Sequence, residues 1–163
     1  MTGGEQSADV LQALHVLEYP YERSVGPALG RFFTALRDGR IEGVIGDNGR
    51  VIVPPTEYDP ESSRTLSEFV AVGDAGVVTS WCWVSDPLGH HLLDRPFAFA
   101  LIRLDGADTA LLHMVDAYRP EKMSTGMRVR ANWRQERVGH ITDIVCFVPV
   151  EASELTSTAV EHP

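Results

Sequence analysis

The stretch GVVTSWCWV at residues 76–84 decides the fold. Its side chains alternate, so Thr79, Trp81 and Trp83 are expected on one face of a strand and Val78, Ser80, Cys82 and Val84 on the other. The same two-residue period runs through FAFALIRL (97–104), ALLHMV (110–115), MRVRANW (127–133) and ITDIVCFV (141–148). Between them stand turn residues: Gly73-Asp74, Asp86-Pro87-Leu88-Gly89, Asp105-Gly106 and Arg119-Pro120 through Gly126. About five substantial strands suit a small closed barrel better than a sandwich of about seven, and a five-stranded OB-type barrel is the expectation for residues 66–150, with 69–72 as an additional short strand.

A narrow barrel needs small inward side chains, which predicts Val78, Ser80, Cys82 and Val84 inside, together with Ala98, Ala100, Ile102 and Leu104. Trp81, Trp83, Phe97 and Phe99 then face outward. A patch of that size is rarely left bare. Three arrangements satisfy this: cover by the chain's own N-terminal helices, cover by a partner, or an inverted facing with the aromatics in the core.

Upstream, residues 8–17 carry Val10, Leu11, Leu14 and Leu17 at helical spacing. A second helix is predicted from near Ser24, with Pro27 in its first turn, Leu29, Phe32, Phe33 and Leu36 along it, and Gly39 as its stop. IEGVI (41–45) and RVIV (50–53) flank Gly46-Asp47-Asn48-Gly49 and predict a hairpin. The expected organisation is therefore a helical segment over 1–40, a hairpin and loop over 41–65, the barrel over 66–150, and a flexible tail over 151–163.

The chain has 163 residues, 44% hydrophobic, with 23 acidic against 14 basic side chains and a formal charge of −9. A field of that sign repels phosphate backbones, which counts against general nucleic-acid binding. The first twenty residues lack a basic start and an apolar stretch, and no run approaches a membrane span, so a cytoplasmic protein is expected. Cys82 and Cys146 sit in apolar runs with no Cys-x-x-Cys, consistent with two reduced thiols.

Catalytic signals are weak. His90 and His91 are adjacent and point different ways, so no metal site is assigned to them. His113 stands on an apolar strand, where a satisfied core histidine is the ordinary role. No catalytic residue is assigned. One strand is distinctive: in MRVRANWRQER, Arg128, Arg130 and Arg134 alternate with Met127, Val129, Ala131 and Trp133. A solvated face explains this, with Glu136, Asp143 or the tail as compensating acids; contact with the phosphates of coenzyme A or with an acidic partner also explains it.

The order FFTALRDGRIEG, a hairpin closed by VPP, GDAGVVTSW, RPFAFALIRLDGA, STGMRVRANW and ITDIVCFVP resembles the DUF35 family, in which a rubredoxin-like zinc ribbon precedes an OB fold. The resemblance spans residues 25–149. It implies that the four zinc-ligand cysteines of the family fall on Ile45, Asn48, Asp59 and Ser62, none of them a thiol, so a metal-free ribbon without zinc or other cofactor is expected. It further implies a non-catalytic companion of a thiolase-fold enzyme, such as a lipid-transfer-type thiolase or a steroid side-chain aldolase, with acyl-CoA esters as the substrate class. Trp81, Trp83, Phe97 and Phe99 are then the candidate partner interface, and Arg128, Arg130 and Arg134 the candidate CoA or acidic-partner contact. The alternatives are a single-stranded nucleic-acid-binding OB module and a small-molecule enzyme using His113 or Asp116.

Overall fold

A computed structural model describes residues 15–18 and 24–150. The helix over 8–17 and the tail after Val150 lie outside the described residues, apart from four non-helical residues at 15–18.

Helix α1, Gly26–Arg37, carries Pro27 in its first turn, where the missing N–H has no partner to lose. Ala28, Phe32, Ala35 and Leu36 form its buried stripe. Gly39, at φ 74°, ends the helix: its amide bonds Leu36 O at 2.9 Å and the Arg40 amide bonds Ala35 O at 2.9 Å. This pair of bonds needs a left-handed residue at that point, a conformation open to glycine.

Strands β1 (Ile41–Ile45), β2 (Val51–Ile52) and β3 (Phe69–Val72) form an antiparallel sheet in the order β2-β1-β3. The predicted hairpin is therefore present. The strand at 69–72, however, belongs to this small sheet and not to the barrel segment expected from residue 66: Val44 lies opposite Phe69 and Ile41 opposite Val72. Glu42, 7% exposed, is clamped by Arg31 and Arg40. Burial pushes its carboxyl up, and the two guanidinium groups override that and hold it below its ordinary value.

Strands β4 (Ala75–Val84), β5 (Phe97–Leu104), β6 (Leu111–Val115), β7 (Arg128–Trp133) and β8 (Ile144–Pro149) close a barrel in the order β4-β5-β6-β8-β7. The β6–β8 pair is parallel and the others antiparallel. Ala98, Ala100, Ile102 and Leu104 point inward as the small-residue argument requires, and one apolar core runs from them to Phe32, Leu36, Ile41 and Val53. The ribbon is also pinned to the barrel by polar bonds. Asp108 Oδ2 accepts from the Val51 amide at 2.8 Å, and Thr109 Oγ1 bonds both the amide and the carbonyl of Val53.

Candidate functional site

On β4, the predicted facing of Trp81 and Trp83 is inverted. The register passes from Val78↔Ile102 to Ser80↔Leu101, so Thr79 is taken up in a β-bulge and every later side chain changes face. Trp81 lies opposite Ala100 and Trp83 opposite Ala98, on the barrel's inner side, where both pack against the core. Ser80 and Cys82, expected inside, are exposed.

Phe97 and Phe99 do face outward, but the cover over Phe97 is neither a helix nor a partner. Phe97 is fully buried in a second apolar cluster with Leu93, Met114 and Cys146, joined by Val84 and the half-buried Phe99. The loop 85–96 supplies the lid: the His91 ring stands edge-on to Phe97 at 5.1 Å and to Phe99 at 5.6 Å, fixed by the Leu88 amide donating to its Nδ1.

The arginines of β7 separate into different environments. Arg128 makes a two-pronged ion pair with Asp105, both N–O distances 2.6 Å, which holds the Asp105 carboxyl below its ordinary value. Arg130 is exposed and lies opposite Val148. Arg134 follows the end of β7, its amide bonded to Asp143 O at 2.8 Å. The Asp143 side chain is fully buried; burial pushes it up, but the amides of Val138, His140 and Gly139 and the charge of Arg134 keep it low. Asp143 was an expected compensating acid, whereas Asp105 was not.

Beside Arg130, the ends of β6 and β8 frame a cavity of about 600 Å³ lined by Asp116, Ala117, Tyr118, Arg119, Lys122 and the Val148–Val150 wall. Asp116 is 3% exposed, pairs with Arg95 through Oδ2, and has no hydrogen-bond partner at Oδ1. Tyr118, at φ 65°, is 74% exposed, with the Arg95 guanidinium 5.5 Å from its ring centre. A non-glycine residue in this region is strained, and strain beside an unmet buried acceptor marks a place where a ligand or partner group can bind. Arg119 and Lys122 give the rim positive charge. Sequence reasoning missed this cavity because residues over thirty positions apart form it.

His113 is 6% exposed, accepts from the Met114 amide at its Nδ1 and stands edge-on to Phe147 at 5.5 Å. Desolvation pushes its pKa down, against hydrogen bonds with Ile141 and Met114 that raise it. It is a core histidine, not an exposed base.

The four positions aligned with zinc ligands do not fit zinc. Ile45 has no donor atom, and the Asp59 carboxylate is occupied by the amides of Asp47 at 3.0 Å, Glu61 at 2.8 Å and Ser62 at 2.9 Å. Ser62 Oγ donates to Asp47 Oδ2, and Asn48 Nδ2 donates to Glu61 Oε1 at 3.3 Å. Hydrogen bonds thus join the two turns that a metal would join.

Residues 69–134 match the family model described as ChsH2, C-terminal OB-fold domain. A crystal structure of a DUF35-family protein of unknown function from Sulfolobus solfataricus superposes with a TM-score of 0.53 at 24% identity, over 66% of this chain and 77% of that one. The Ltp2-ChsH2(DUF35) aldolase superposes with a TM-score of 0.56 at 20% identity, over 79% of this chain and 96% of that one. A comparison with curated proteins gave no match. The two superpositions concern the fold, and the match at 69–134 concerns the barrel sequence itself: residues 69–134 are similar to a ChsH2-type OB-fold domain, on a fold shared with the two DUF35 structures.

Proposed function

We propose that the protein is an accessory, non-catalytic subunit of an acyl-CoA aldolase or thiolase-type complex, supporting a thiolase-fold partner that carries the reacting groups. The observation that carries this reading is the ChsH2-type OB domain at 69–134, the domain type named in the Ltp2-ChsH2(DUF35) aldolase. The buried His113 and the ion-paired Asp116 support a companion role over the alternative of a small-molecule enzyme.

Contact with the CoA ester is part of the same proposal. The cationic groups best placed for its phosphates are Arg119 and Lys122, which line the cavity. Arg128 is already engaged by Asp105. The rival reading, a single-stranded nucleic-acid module, needs exposed aromatic rings for bases to stack on. Trp81 and Trp83 lean on the core and Phe97 is buried, which leaves Tyr118 as an exposed ring beside basic side chains, and the chain's charge of −9 weighs against binding a phosphate backbone.

The test is an activity titration. An Ltp2-like aldolase protein from the same cell is assayed for cleavage of a hydroxyacyl-CoA ester with and without this chain. The pair should exceed the partner alone, and this chain alone should be inactive. Turnover by the chain alone, or no effect of adding it, overturns the reading.

A further inference from the structure

The outer face of β4, β5 and β6 is a register-matched grid, and only part of it is covered. One row is Met114, Phe99 and Cys82, and the next is Leu112, Leu101 and Ser80. Beyond Leu101 on the same face of β5 comes Arg103, opposite Val77, which lies opposite Arg128. The loop 85–96 reaches the first row, where His91 packs on Phe99 and Met114 is 7% exposed. Its cover stops there. Leu101 is 41% exposed and Leu112 60%, two leucines directly paired in the middle of a barrel face.

The charges beside them are unequal. Arg128 is matched by Asp105, while the exposed Arg103 makes no ion pair among the described residues. An apolar pair next to an unmatched guanidinium calls for a surface with an apolar centre and a carboxylate beside it. A second copy of this chain is the poorer occupant, because the carboxylate this face carries, Asp105, is already held by Arg128, so a like face offers Arg103 no free acid and sets it against another arginine. A nucleic acid would satisfy Arg103 but finds no exposed aromatic ring at Leu101 and Leu112.

We infer that this face, centred on Leu101 and Leu112 with Arg103 at its border, docks the protein partner through an apolar ridge flanked by an aspartate or glutamate. The inference rests on the companion reading above and adds to it which surface makes the contact. Trp81 and Trp83 have no part in it; Phe99, half-buried at its margin, does.

The experiment uses the full chain and an Ltp2-like aldolase protein from the same cell, with affinity measured for wild type, Leu112→Glu, Arg103→Glu and the double variant. Both positions are exposed, and unchanged melting temperatures establish that the variants fold. Leu112→Glu should weaken the complex about tenfold or more, and Arg103→Glu should slow association and flatten its salt dependence. If wild type binds and the double variant binds equally well, the face is wrong while the companion reading stands. If wild type does not bind, both fall. If wild type instead self-associates and Leu112→Glu returns it to a monomer, the patch joins copies of this chain and the inference is overturned.

Discussion

The amide of Asp47 donates to Asp59 Oδ2 at 3.0 Å, a bond that crosses from the β1–β2 turn to the loop that follows the hairpin. With the amides of Glu61 and Ser62 on Oδ1, one buried carboxylate gathers both turns. A carboxylate receiving several amide hydrogens is a compact clip, and these bonds hold its pKa below the ordinary 3.8.

Asp59→Ala should loosen this clip without touching the barrel. Hydrogen exchange should speed up at the amides of Asp47, Glu61 and Ser62 and stay unchanged on β5. In the wild type, a folded pKa below the unfolded value means the contribution is complete above pH 3.8 and is lost as pH falls through the lower folded value. Chelator should leave the melting temperature unchanged, since Ile45 and the occupied Asp59 leave no set of zinc donors.

His113 should give the opposite chemistry with the same sign of slope. Its folded pKa is depressed from 6.5 by burial, so the unfolded chain takes up a proton first as pH falls. Stability from this group is therefore complete above pH 6.5 and declines below it, until the folded pKa is passed. Urea midpoints between pH 7.5 and 5.5 should fall, and less steeply in His113→Asn.

Trp83→Ala should act on the fold. The indole packs on the barrel core opposite Ala98, so its removal is expected to cost about 2–3 kcal/mol of unfolding free energy, below the range of a fully buried Trp because the ring is half-buried. Partner affinity should be unaffected in the folded fraction. An unchanged melting temperature would return Trp83 to the surface.

The Arg128–Asp105 pair should couple weakly. Both groups are partly exposed, so a double-mutant cycle with Arg128→Ala and Asp105→Ala is expected to give about 1 kcal/mol or less, shrinking with salt.

Much of the fold was legible in the sequence. Alternation gave the barrel strands, Gly46-Asp47-Asn48-Gly49 gave the hairpin, and Pro27 and Gly39 bracketed α1. Trp81 and Trp83 were misplaced because a two-residue period was carried straight through Thr79, and a bulge there has no glycine to announce it; the Thr79 hydroxyl instead bonds Leu101 O at 3.0 Å. The partner of Arg128 was hidden for another reason: Asp105 sits 23 positions earlier, in the β5–β6 turn. The cavity at Asp116 depends on β8 lying parallel beside β6, a relation no local pattern carries.

Mass measurement on the coexpressed pair tests the central claim most directly. When this chain and an Ltp2-like aldolase protein from the same cell are purified through a tag on one of them and examined by native mass spectrometry, the account predicts a mixed particle in a fixed ratio. Two separate populations, with this chain at its monomer mass, would contradict it.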